Sequence, residues 1–147
     1  MDEIDRKIVA GLRADARVSL QVLSEKVGLS PSPCARRIRK LETDGVIRGY
    51  TARIDEARLG LGFSVFVSVR LEKQIGSQLQ VFETRIRAFD EVVDCWLMTG
   101  AFDYLLRIAV ADLAEFEHFL TERLTEVPGV ASLESSIPIR RVKDQNG

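Results

Sequence analysis

The sequence predicts an α+β chain in two parts. The first is an N-terminal helix-turn-helix unit with a small hairpin that would make it winged, and the second is a ferredoxin-like β-α-β-β-α-β unit. Three observations carry that expectation. Residues 3–43 hold apolar side chains at helical spacing interrupted by a tight turn after Gly28, whereas from Phe63 the apolar residues alternate with period two between two further helical stretches. Charge divides at the same place: residues 1–62 hold 12 Lys/Arg and 9 Asp/Glu, net +3, and residues 63–147 hold 9 and 13, net -4.

The first helix is expected over about Glu3–Ala14, with Asp2 as its cap and Ile4, Ile8 and Leu12 as its buried stripe. The second starts after Ser19, an N-cap residue, with Leu20, Leu23 and Val27 inward, and stops at Gly28. The third opens with Ser30 as N-cap and Pro31 at the first helical position, where proline's missing N–H costs nothing. Counting about 100° per residue from Cys34, Ile38 falls near about 40° and Leu41 near about 340°, which defines the inward stripe. Ser32, Arg36, Arg39 and Lys40 fall on the opposite side, and Arg37, near about 300°, lies on the border. A short helix turned tightly against a second one with an apolar inner side and a cationic outer side is the arrangement that reads duplex DNA. Arginines there can pair bidentately with guanine, lysine meets phosphate more readily, and Ser32 can meet either. Ser19 and Gln21, where free N–H groups cluster, suit backbone phosphates.

Val46–Asp55 reads as two short extended pieces around Gly49, a hairpin that would serve as a wing or as a link between the two parts. Arg48, Thr51 and Arg53 would then touch phosphates. Residues 1–54 thus form the expected DNA-binding domain, 55–62 a linker with one helical turn, and 63–147 the second domain. In that domain Phe63–Leu71 alternates as a strand, and Leu79, Phe82, Ile86 and Phe89 mark a helix. Val92–Thr99 and Asp103–Val110 form a hairpin about Gly100-Ala101-Phe102. Leu113, Phe116, Leu120 and Leu124 mark a second helix capped by Asp112, and Val130–Val142 closes the sheet. Both helices would cover one sheet face, leaving Phe66, Trp96, Met98 and Leu105 on the other, too apolar to face water and so expected against a second subunit.

With 147 residues, 46% of them hydrophobic, the chain can bury one large core or two small ones. No apolar run approaches the roughly 18 residues of a membrane span, and Met1-Asp-Glu-Ile-Asp-Arg6 lacks a signal peptide's basic start, so a cytoplasmic chain without membrane partners is expected. Cys34 and Cys95 lie far apart and His118 is the sole histidine, which disfavours zinc sets and His-based nucleophiles. With no nucleophile–base pair and no phosphate-cradling loop, neither enzyme activity nor a cofactor is expected.

Several motifs resemble the Lrp/AsnC "feast/famine" transcription regulators. They are Asp2-x-x-Asp5-Arg6 with Ile8, Leu29-Ser-Pro-x-Pro-Cys34, Arg37-x-x-x-Leu41-Glu42-x-x-Gly45-x-Ile47, Gly49-Tyr50, Gly100-x-Phe102-Asp103-Tyr104 and Val127-Pro-Gly-Val130. The resemblance implies homodimers built through the sensor sheets and assembled to octamers or similar discs. It also implies a small effector, typically an amino acid, bound where dimers meet. Carried onto this chain, the effector positions are Leu97, Thr99, Gly100, Ala101, Phe102, Asp103 and Tyr104, with Ser135, Ser136 and Ile137 on the last strand. Many relatives carry an acid where this chain has Ala101, which would leave Asp103 to meet an effector's ammonium alone, unless its carboxylate bonds loop amides instead. The function expected is sequence-specific DNA-binding regulation tuned by such an effector. The alternative is a mainly architectural protein that organises DNA through phosphates and bending.

Overall fold

The computed structural model describes residues 1–143, which fall into two compact units, one built on Met1–Arg53 and the other on Ile54–Arg141. The first is three helices: α1 Glu3–Ala14, α2 Leu20–Val27 and α3 Pro31–Thr43. Asp2 and Asp5 form a reciprocal capping box at the start of α1, each side chain accepting the other's backbone N–H at 2.9 Å. Ser19 Oγ accepts the Val22 N–H, and Gly28 ends α2 in the left-handed conformation. The core of this unit is Ile8, Leu23, Val27, Cys34 and Leu41, joined by half-buried Ile4, Leu12 and Ile38.

Two details depart from the helical count. Leu20, placed inward by periodicity, is exposed at the first position of α2, and its place is taken by Ser24, whose buried hydroxyl donates to the Gln21 carbonyl at 2.8 Å. A Cβ at Gly11 would stand 2.6 Å from Leu23 Cδ1, so the α1–α2 contact depends on the absence of a side chain there.

The expected hairpin at Val46–Asp55 does not form, and the segment is irregular. Each half offers about four residues on its own, too little for an isolated hairpin to hold. Asp55–Gly62, expected as a linker, begins inside the second compact unit and carries one 3-10 turn at Ala57–Leu59.

In the second unit, β1 Phe63–Leu71, α4 Gly76–Arg87, β2 Val92–Leu97, β3 Tyr104–Val110, α5 Leu113–Phe119 and β4 Val130–Ser136 follow in order. The sheet runs β2-β3-β1-β4 with every neighbour antiparallel, the ferredoxin-like arrangement. Val65, Val67 and Val69 of β1 and Leu106 and Ile108 of β3 meet Phe82, Ile86, Phe116 and Phe119 under the helices. After α5 the chain continues through a wide π-type turn, Leu120–Leu124. That extra residue brings Phe119 and Leu124 onto the buried face together. Leu113, expected inward, is exposed at the first position of α5. β4 ends at Ser136, short of the expected Val142.

Candidate functional site

On α3, Ser32, Arg36, Arg39 and Lys40 are exposed along one side, with Ser30 exposed at the start. Ser30 occupies the cap position with extended backbone, yet its hydroxyl makes no cap hydrogen bond. Pro31 and Pro33 carry no backbone N–H, so of the first three helical positions Ser32 alone has one. Lys40 pairs with Asp44 at 2.8 Å, an exposed i,i+4 contact of the kind that yields readily to a stronger partner. Gln21 Nε2 donates to Glu25 Oε1 at 2.7 Å, and the Ser19 hydroxyl is occupied by its cap.

Arg37 departs from this group. Its Nη1 donates to Asp2 Oδ2 and Asp5 Oδ1, each at 2.7 Å, so its side chain leans onto α1. The backbone cap hydrogen bonds, and Arg37 after them, hold both carboxyls below the usual aspartate range. Arg48, Thr51 and Arg53 are exposed on the irregular stretch, with no wing beneath them.

The second candidate site is the loop between β2 and β3. Thr99, Gly100 and Ala101 are exposed, Phe102 is half-buried, and Leu97 at the end of β2 is 61% exposed. Asp103 is 5% exposed. Its N–H donates to Val69 O at 2.8 Å, and its Oδ2 accepts the Leu71 N–H at 2.7 Å, beside a register shift in β1 between Arg70 and Leu71. The carboxylate thus supplies the acceptor that β3 no longer reaches to give Leu71. That bond engages one of the two carboxylate oxygens, so Asp103 has a structural role in the strand whatever else it meets. Tyr104 is also internal: its ring packs 4.5 Å from Phe82 and its hydroxyl donates to Glu83 Oε1 at 2.9 Å, while burial and that carboxylate push its pKa up.

Ser135, Ser136 and Ile137 are exposed at the far end of β4. Val69 pairs with Tyr104 on one side and Leu133 on the other, whereas Ser136 pairs with Phe66. The offset from Val69 to Phe66 is roughly 10 Å along the strand, and β1 lies between β3 and β4. One chain therefore does not bring the loop and the β4 residues to a common point.

Residues 1–42 match the AsnC-type helix-turn-helix domain, and residues 64–147 match the Lrp/AsnC ligand binding domain. The chain belongs to the Lrp/AsnC family. The Bkd operon transcriptional regulator of Pseudomonas aeruginosa is 49% identical over 142 residues, covering 97% of this chain and 93% of its own. The leucine-responsive regulatory protein of Escherichia coli is 38% identical over 146 residues, covering 99% and 89%. Among solved structures, a Neisseria meningitidis transcriptional regulator in complex with L-Met superposes with a TM-score of 0.93 at 34% identity, covering 98% of this chain and 93% of that one. An AsnC family regulator of Agrobacterium tumefaciens superposes at 0.91 with 36% identity, covering 98% and 94%. This Lrp/AsnC chain thus combines a DNA-binding helix-turn-helix with a ligand-binding sheet domain, and its relatives are transcriptional regulators.

Two contacts of the family's sensor unit were not visible in the sequence. Arg70 Nε donates to Ala101 O at 3.0 Å, and its guanidinium lies 5.4 Å from the centre of the Phe102 ring, so it holds the loop from β1. The signal available was a lone arginine in a strand face otherwise made of Ser and Phe. On the open sheet face, Arg107 binds Glu56 through two contacts of 2.9 and 3.0 Å and Asp94 at 2.9 Å. The Arg107 side-chain bond, opposed by desolvation, holds the Glu56 carboxyl low. That ties the segment before β1 to the sheet. Phe66, Trp96, Met98 and Leu105 share this open face, with Trp96 44% and Met98 43% exposed. Among the described residues, no group of His, Cys, Asp and Glu is placed to hold a metal ion, and no helix is long and apolar enough to cross a membrane. Desolvation raises the pKa of both thiols, that of Cys95 to about 11, so neither is poised as a thiolate.

Proposed function

We propose that the chain regulates transcription by reading duplex DNA with the outward side of α3, and that an amino acid held at the β2–β3 loop tunes its assembly and its grip on DNA. The observation that carries the first half is the exposed row Ser32, Arg36, Arg39 and Lys40 on one side of a helix whose other side is core. Arg36 and Arg39 are the base-reading candidates, and Ser30, Lys40, Ser19, Gln21, Arg48 and Arg53 are candidates for phosphates.

For the second half, the exposed turn Thr99-Gly-Ala101 offers backbone amides to an α-carboxylate. The separation of this loop from Ser135–Ile137 within one chain favours an effector site completed by a second copy. The apolar open face around Phe66, Trp96 and Leu105 suits pairing between copies, with higher assembly following through other surfaces. Leucine and methionine are the first effectors to test, since relatives are named for one and crystallised with the other. The reading makes the chain a regulator working in the cytoplasm and not an enzyme.

The test is enrichment of a random duplex library on the full chain, followed by calorimetry with the twenty L-amino acids and light-scattering mass with and without the binder. Enrichment of one sequence, and a mass that shifts with an amino acid, are expected. Equal retention of all duplexes would favour the architectural alternative, and an absence of any amino-acid heat would remove the effector.

A further inference from the structure

The contact between α1 and α3 is unusual in how little is left over. Asp2 Oδ1 accepts the Asp5 N–H and Asp5 Oδ2 accepts the Asp2 N–H, both at 2.9 Å, while the remaining oxygens, Asp2 Oδ2 and Asp5 Oδ1, both accept from Arg37 Nη1 at 2.7 Å. The helix cap and the interhelix contact share one pair of carboxylates.

On its inner side α3 fully buries only Cys34 and Leu41, with Ile38 half-buried. Apolar contact is non-directional, and a stripe this narrow resists rolling of the helix weakly. A charge-assisted guanidinium–carboxylate contact is directional. Its value as net stability is small at such an accessible place, so what it supplies is orientation. A roll of about 15° would carry a group on the roughly 6 Å side-chain radius through about 1.5 Å, beyond the roughly 0.5 Å within which a recognition geometry must be held.

We propose that Arg37 is a positioning residue for DNA reading: the Asp2–Asp5–Arg37 junction sets the roll of α3 and so the direction in which Ser32, Arg36 and Arg39 leave it. The inference rests on α3 being the DNA-facing helix. It differs from the plain reading of Arg37 as one more phosphate contact, and the two differ in sign. If Arg37 meets phosphate, Asp2 and Asp5 compete with DNA, and Asp5→Asn frees a cation and removes a negative charge, so binding tightens. If Arg37 positions, Asp5→Asn loosens the junction, because the amide oxygen can serve the cap or Arg37 but not both, and discrimination falls.

The experiment uses the full chain, a duplex enriched by the wild type from a random library, and a scrambled duplex of equal length, each titrated over a salt series. Arg37→Met and Asp5→Asn are each expected to lower the ratio of specific to scrambled affinity roughly tenfold, the size of one lost base contact. The slope of log K against log salt stays unchanged, and the double variant is no worse than either single one, as for groups acting as a unit. Circular dichroism melts confirm folding, and if Arg37→Met does not fold, Asp5→Asn carries the test. Tighter binding by Asp5→Asn, or a slope reduced by about 0.9 in Arg37→Met, overturns the proposal. A wild type that enriches no duplex removes the DNA-reading helix itself, an outcome visible before any variant is made.

Discussion

Arg37 in the helical unit and Asp103 in the sheet unit are the same kind of residue in two places. Each stands in a row of candidate ligand-binding groups, and each is engaged internally, Arg37 by two aspartates and Asp103 by the Leu71 N–H. Their neighbours, Arg36 and Arg39 in one unit and Thr99 to Ala101 in the other, remain outside. In both units an inward-turned charge sets the shape of the surface, and the outward-turned groups are left for the ligand. The units differ in depth: Asp103 is 5% exposed, whereas the Arg37 side chain is 32% exposed. Loss of Asp103 therefore falls on stability, and loss of Arg37 on orientation.

Asp103→Ala gives the largest expected effect. It leaves a backbone N–H of a buried strand without a partner, which costs about 1–3 kcal/mol, read as a shift of the urea midpoint. Asp103→Asn keeps an acceptor for Leu71 and should retain most of that stability, together with amino-acid affinity within about twofold. A folded Asp103→Asn chain that no longer binds an amino acid would return the carboxylate to an ammonium role.

Next in size, Arg36→Ala and Arg39→Ala should each lower specific DNA affinity roughly tenfold, with discrimination relaxed at one or two base positions of the enriched site. Arg70→Gln should lower amino-acid affinity severalfold while leaving the melting temperature nearly unchanged, because it releases the loop without opening the core. An unchanged calorimetric titration would mean that the loop needs no clamp.

The smallest effect concerns pH. Asp2 and Asp5 have folded values below their unfolded ones, so their contribution is present above the unfolded value of about 3.9 and is lost as pH falls through the lower folded value. Acid unfolding of the wild type should therefore be slightly steeper below about pH 4 than that of Asp2→Asn/Asp5→Asn.

Most of the fold was legible because periodicity is a local property. The Asp2 and Asp112 caps, Pro31 at the start of α3 and the β1 alternation all follow from residues within a few positions of each other. What periodicity could not show is which polar group finds a distant partner. Arg37 and Asp2 are 35 positions apart, and Asp103 and Leu71 are 32 apart. A helical count places Arg37 on a border but says nothing of what lies beyond it. Leu20 and Leu113 misled for another reason: each is the first residue of its helix, where an apolar side chain can overhang the core instead of entering it. The π-type turn after Phe119 changes the helical phase in a way no count at 3.6 residues per turn contains.

Whether outward charges bind while inward charges position is decided by comparing salt slopes for DNA binding in the wild type, Lys40→Ala and Arg37→Met. A slope reduced by about 0.9 is expected in Lys40→Ala, as for the loss of one phosphate contact. In Arg37→Met the slope should be unreduced and discrimination between specific and scrambled duplexes weakened. Equal reductions of slope in the two variants would contradict the positioning role of Arg37.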